Sequence, residues 1–144
     1  LRKKGFCELQ PESLQIHVPA ALTPDRQLEM ARQILAQFLR DQAAEILKQR
    51  ADIYAAKMGV RYRSIKLTDP RARWGSCDRD GNLALSWRVV MAPIELVDYL
   101  IVHELAHIIR FDHSPTYWRE VAKILPDYKI RRKALQQMEH NCHI

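Results

Sequence analysis

The stretch PIELVDYLIVHELAHIIRFDHSPTYW, residues 93–118, decides the fold. Pro93 has the fixed φ that suits the start of a helix, and the residues from Ile94 to Arg110 are apolar on nearly every helical face. This pattern predicts a buried helix over 93–110. His103, Glu104 and His107 then lie in the interior, where polar groups need partners. Residues four apart on a helix are rotated by about 40° and lie one turn apart on the same face, so His103 and His107 can reach one ion. A third residue on that face would lie too far along the axis, and His113, six residues after His107 and past a helix end at Arg110-Phe111-Asp112, is the candidate. Ser114 and Pro115 read as the cap and first position of a second helix. Tyr117, Trp118, Val121, Ala122 and Leu125 face inward on it, and Pro126 ends it.

The chemistry follows from the residue types. A catalytic zinc ion takes three protein ligands and keeps its fourth position for water, and His103, His107 and His113 supply that set. Glu104, adjacent to the first ligand, can take the proton of the attacking water. Zinc (Zn2+) is the expected ion, with other divalent transition metals as alternatives. A chance HExxH in a chain of this composition has a probability of roughly 1% before a buried helix or a third histidine is required. The spacing to His113 equals that of metzincins, but the glycine those enzymes carry three residues after the second histidine is Arg110 here, so the turn must be made differently.

Upstream, Val60 to Leu67 alternates apolar and basic residues up to a stop at Asp69-Pro70, and a second strand runs from Asn82 through Trp87 after the turn Asp80-Gly81-Asn82. Together they predict a hairpin or an adjacent antiparallel pair around the loop RARWGSCDRDG, residues 71–81. The part from Arg71 to Cys77 is expected to border the metal cleft, with Gly75 allowing close backbone approach and Arg73 available to a developing oxyanion. Trp74 can instead anchor the loop in the core. Cys77 reads as a small packed residue, because nothing marks it as an activated thiol. Before the loop, Thr23 caps and Pro24 opens a helix, or helix pair, that ends near Gly59. Leu14 to Val18 forms a short strand closed by Pro19, and a last helix covers Lys129 to Met138. His140, Cys142 and His143 read as a solvated tail and not as a second metal site.

HELAHIIRFDHSPTYW (103–118), preceded by RWGSC (73–77) and followed by Leu125-Pro126-Asp127-Tyr128, resembles the YgjP-like family of metal-dependent hydrolases, relatives of the SprT-like metallopeptidases. The resemblance covers roughly residues 10 to 138. It implies a zincin-like α+β domain, with a small antiparallel sheet packed against the active-site helix. By it the metal ligands fall on His103, His107 and His113 and the catalytic glutamate on Glu104. Many members have a longer β-rich amino-terminal part than residues 1 to 22 provide, so the chain is expected to be truncated at that end.

The 144 residues, 47% hydrophobic and 28% charged, suit one compact domain over 1–144. Three cysteines at unrelated spacings, Cys7, Cys77 and Cys142, form no disulfide framework, and a reducing cytoplasmic setting is expected. No run of about 18 apolar residues and no apolar segment in residues 1 to 20 suggests a membrane span or a signal peptide. The net charge of +6 comes partly from clusters at Arg2-Lys3-Lys4, at Arg61, Arg63, Lys66, Arg71 and Arg73, and at Lys129, Arg131, Arg132 and Lys133. The leading reading is therefore a zinc-dependent hydrolase acting on polypeptides. The alternatives are hydrolysis of a nucleotide phosphoanhydride served by the basic cluster, and a nucleic-acid-associated module with a structural zinc.

Overall fold

The structure is a computed structural model and describes residues 4–69 and 73–141, with side chains through residue 139. Arg71, Cys142, His143 and the His140 side chain, all named above, lie outside the described residues. The chain divides into two compact units, residues 1–42 and 43–144, each taken by itself below.

In the first unit, β1 (Phe6–Leu9) and β2 (Leu14–His17) form an antiparallel hairpin in which Phe6 is opposite His17. Their rings stack at 4.4 Å. A helix, α1, runs without interruption from Pro24 to Met58 and carries its first half in this unit. Thr23 caps it as expected: its hydroxyl accepts from the Arg26 N–H at 3.4 Å and its carbonyl from the Gln27 N–H at 2.9 Å. A Cβ on Gly5 would run into the Ile34 and Met30 side chains, so the hairpin lies close against the first half of the helix.

The second unit begins with the rest of α1, which buries Ala43, Leu47, Ala51, Tyr54 and Ala55 at spacings of three and four. Gly59, at φ +70°, ends the helix in a Schellman turn. Its N–H donates to the Ala56 carbonyl, and the Val60 N–H reaches back to Ala55. A three-stranded sheet follows in the order β3-β5-β4, formed by Ser64–Thr68, Asn82–Ser86 and Gly75–Cys77. The two strands read from the sequence do pair, but in parallel, with Ile65 opposite Leu83. The antiparallel partner of β5 is β4, which comes from inside the loop. The turn at Asp80-Gly81-Asn82 is real, but it closes the β4–β5 hairpin. Gly81 sits at φ +85°, and the Asp78 carboxylate accepts from the Asp80 and Asn82 N–H groups at 2.9 Å. Thirteen residues, 69–81, separate β3 from β5, enough for the crossover that a parallel pair needs, whereas a hairpin between them would have needed a short turn.

After a 3-10 turn at Trp87–Met91, α2 (Ile94–Ile109) packs against β4 and against α3 (Pro115–Ile124) and α4 (Tyr128–Asn141). From Leu96 to Val102 every residue of α2 is buried, as are Leu105 and Ala106. Asp98, also buried, is held by Arg50 from α1 through two hydrogen bonds of 2.7 and 2.6 Å and by the Tyr54 hydroxyl at 2.9 Å. An acid there is tolerated because all its strong acceptors are used. The Ser114 hydroxyl caps α3 by accepting from the Tyr117 N–H, and Tyr117, Val121 and Leu125 form its inner face. The arrangement is α+β, and no helix among the described residues is long and apolar enough to cross a membrane.

Candidate active site

α2 is buried over most of its length, and its turn from His103 to His107 borders open space. The ligand atoms of His103, His107 and His113 lie within 4.8 Å of one another. His103 and His107 are half-buried on α2, and His113 reaches them exposed, from the connection to α3. The ring separations are 5.3 Å for His103–His107, 5.4 Å for His103–His113 and 4.6 Å for His107–His113. The turn without a glycine is made by Arg110 in extended conformation at φ −143°, ψ 111°, which any residue can adopt.

The rings are oriented from behind. Tyr99, one turn earlier on α2, places its hydroxyl 3.2 Å from His103 Nδ1. His107 Nδ1 lies 3.3 Å from the Arg110 carbonyl, which can only accept, so His107 keeps its proton on Nδ1 and its Nε2 lone pair free. The buried Tyr117 hydroxyl donates to the His103 carbonyl at 2.7 Å, and its ring stacks on His107 at 4.6 Å. Burial, and the proximity of the other two imidazoles, push His103 down to about 3, and burial lowers His107 as well. Both effects keep the imidazoles neutral, the form in which they donate to a metal. The donor set and its spacing therefore fit a divalent ion.

Glu104 is 4% exposed and lies against the sheet. A Cβ on Gly75 would sit 3.0 Å from Glu104 Oε2, which places the carboxylate directly against β4. Burial pushes Glu104 up to about 7, and the Arg73 guanidinium opposes that rise. Cys77 is pushed up to about 11 by burial and by the negative charges of Glu104 and Asp78, so it is no nucleophile.

Two cavities flank this group. One, of about 330 Å3, is walled by Trp74, Tyr99, Leu100 and Leu135, and the other, of about 320 Å3, by Arg73, Ser76, Cys77 and Phe111. Gly75, His103, Glu104 and His113 line both. The loop from Arg73 to Cys77 thus borders the cleft, and Trp74 also anchors it: its Nε1 donates to the Leu135 carbonyl of α4 at 3.3 Å. Of the basic cluster read upstream, Arg61 and Arg63 line separate depressions beside α1 and β3. Tyr117 is core, as read, but Trp118 stacks on His113 at 5.9 Å and belongs to the rim of the site. Tyr99 and Arg132 were not anticipated. The spacing of four between Tyr99 and His103 was a usable signal for the first, and nothing in the sequence places Arg132 near the histidines.

Comparison with known proteins agrees with this geometry. No curated protein matches the chain. Among solved structures, the metallopeptidase zymogen of Pyrococcus abyssi abylysin superposes with a TM-score of 0.55 at 22% identity, covering 67% of this chain and 93% of that one. The metallopeptidase zymogen of Methanocaldococcus jannaschii jannalysin does so with a TM-score of 0.54 at 21% identity, over 64% and 96%. At these identities the likeness establishes the shared zincin-like α+β fold. The model of the YgjP-like metallopeptidase domain matches residues 3–138. A match across nearly the whole sequence makes the chain a member of the YgjP-like metallopeptidase family, and so a metal-dependent hydrolase.

Proposed function

We propose that His103, His107 and His113 hold one divalent ion, zinc by preference, and that Glu104 is the general base of a peptidase. The observation that carries this reading is the convergence of three imidazoles, with their potential ligand atoms within 4.8 Å of one another, beside a buried carboxylate that no described cation pairs with directly. The bound ion supplies Lewis acidity to the scissile carbonyl and to the attacking water. Glu104 takes a proton from that water and returns it to the leaving amine. Arg73, exposed at the mouth and close enough to act on Glu104, provides a positive charge on the side where the carbonyl oxygen gains charge. Peptide as substrate is supported by the family and by β4: it is an outer strand of its sheet, with no partner on its outer side among the described residues, so an extended chain can pair with that edge next to Glu104. We also read residues 1–144 as one functional domain, since the family match spans both compact units, and the two free thiols Cys7 and Cys77 suit a cytoplasmic location.

Glu104→Gln tests the assignment. It keeps shape but removes the basic oxygen, so zinc content measured by mass spectrometry should stay near one per chain while peptide turnover falls about 100-fold or more. His113→Ala should lose the ion. Equal loss of metal and activity in Glu104→Gln would make Glu104 a structural residue.

A further inference from the structure

The cavity between Trp74 and α4 contains a charge that the reaction described above does not use. Arg132, on the second turn of α4, faces this cavity, and among the described residues no carboxylate pairs with it and no acceptor bonds it. Its neighbour Arg131 is engaged, donating to Asp127 at 3.0 Å and to the Glu95 carbonyl at 3.1 Å. The Arg132 guanidinium nevertheless has a defined position, 4.7 Å from the centre of the Trp118 ring. Trp118 in turn stacks with Tyr128 at 5.2 Å and 17° and with His113 at 5.9 Å and 24°. The cation is thus fixed to the same aromatic stack that supports the third histidine.

We infer that this cavity receives a carboxylate of the substrate, either an Asp or Glu side chain or the free carboxyl terminus, and that Arg132 binds it; the inference rests on the peptidase reading above. At about 330 Å3 the cavity has room for one large residue. Trp74, Leu100 and Leu135 give it an apolar wall, and the Trp74–Leu135 hydrogen bond ties that wall to the helix that carries Arg132. An unpaired guanidinium against an apolar wall favours a ligand with a hydrocarbon stem and a terminal carboxylate, which accepts two parallel N–H groups. Glu139 also lines the cavity, but it lies seven residues further along α4, about 10 Å by helix rise, and so opposes an acid at the far end only. Arg73 lines the opposite cavity, which leaves Arg132 as the cation of this one.

The test uses the zinc-loaded full chain and pairs of peptides that differ only in charge: Glu against Gln at each position flanking the cleaved bond, and a free against an amidated carboxyl terminus. The wild type should prefer the acidic member of one pair by about 10- to 100-fold in kcat/KM, and the responsive pair identifies the source of the carboxylate. Arg132→Gln should erase that preference, and Arg132→Glu should shift it toward Lys, with thermal midpoints confirming that both variants fold. Binding of the same pairs to zinc-loaded Glu104→Gln, with and without Arg132→Gln, gives a readout that needs no turnover. A wild type indifferent to charge in both assays, or an Arg132→Gln that slows acidic and neutral peptides equally, would overturn the inference. If no peptide is cleaved while the acidic ones still bind through Arg132, the peptidase reading fails and carboxylate recognition stands.

Discussion

Replacing Gly75 by alanine adds one carbon at the most crowded point of the cleft. The new Cβ would stand 3.0 Å from Glu104 Oε2, 3.1 Å from the Ala84 carbonyl oxygen and 3.1 Å from Leu85 Cδ2, where ordinary contact begins at 3.4 Å. Two of these neighbours cannot yield. The Ala84 carbonyl belongs to the strand paired with β4, and Leu85 is 0% exposed in the core. The Glu104 side chain is the one with torsional freedom, so the overlap is relieved by moving the carboxylate. Overpacking of this size costs about 1–2 kcal/mol, which lowers the thermal midpoint by about 3–8 °C for a chain of this length. With Glu104 as the proposed general base, its displacement costs more in rate: kcat should fall about 10- to 100-fold, with metal content unchanged because no imidazole moves. Differential scanning calorimetry, metal analysis and turnover of a cleaved peptide read the three quantities separately. A Gly75→Ala protein with wild-type kcat would refute the placement of Glu104 against β4.

Three further outcomes follow from the same geometry. Arg50→Met strands the Asp98 carboxylate, whose side chain is 7% exposed, with only the Tyr54 hydroxyl; it should destabilise by about 3 kcal/mol, and Arg50→Met with Asp98→Leu should recover most of the loss in urea titrations. Trp74→Ala removes a half-buried ring and its bond to Leu135, costing about 2–3 kcal/mol in the same assay, and a change below about 0.5 kcal/mol would show that the ring does not clamp α4. Cys77, raised to about 11, should react with iodoacetamide at pH 8 about 100-fold more slowly than a free thiol in a Cys7→Ser, Cys142→Ser background, and faster as pH rises toward 11; rapid labelling at pH 8 would contradict its burial.

The sequence is most legible where local rules act alone. Thr23-Pro24 and Ser114-Pro115 start their helices at those positions because a hydroxyl cap and a fixed φ need no tertiary support. The buried α2 could be read because apolar residues on every face leave no side for water. Strand pairing was not legible in the same way. Alternation in Val60–Leu67 and Asn82–Trp87 says that both are strands, but direction depends on the path of the loop between them, and three residues of that loop, Gly75–Cys77, are too few to show a period. The histidine spacing placed two imidazoles on one face, whereas bringing His113 to them depended on the packing of Tyr117 and Trp118. Arg132 looked like any member of a basic run, because its role comes from the stacking of α4 on α3 and not from its neighbours in the chain.

The turn that carries the histidines is held in place by protein alone. Tyr117 grips the His103 carbonyl, Tyr99 meets its ring, and Ile101, Val102, Leu105 and Ala106 beneath are 0% exposed. With this much packing behind it, the turn is expected to fold without the ion, in contrast to small zinc modules that collapse when stripped. Treatment with a chelator should therefore silence the enzyme and leave it folded, and the same molecules should regain activity when the ion is restored. Within a cell this separates abundance from activity: the pool of protein is set by synthesis and turnover, and the working fraction by how much metal the surroundings release to it.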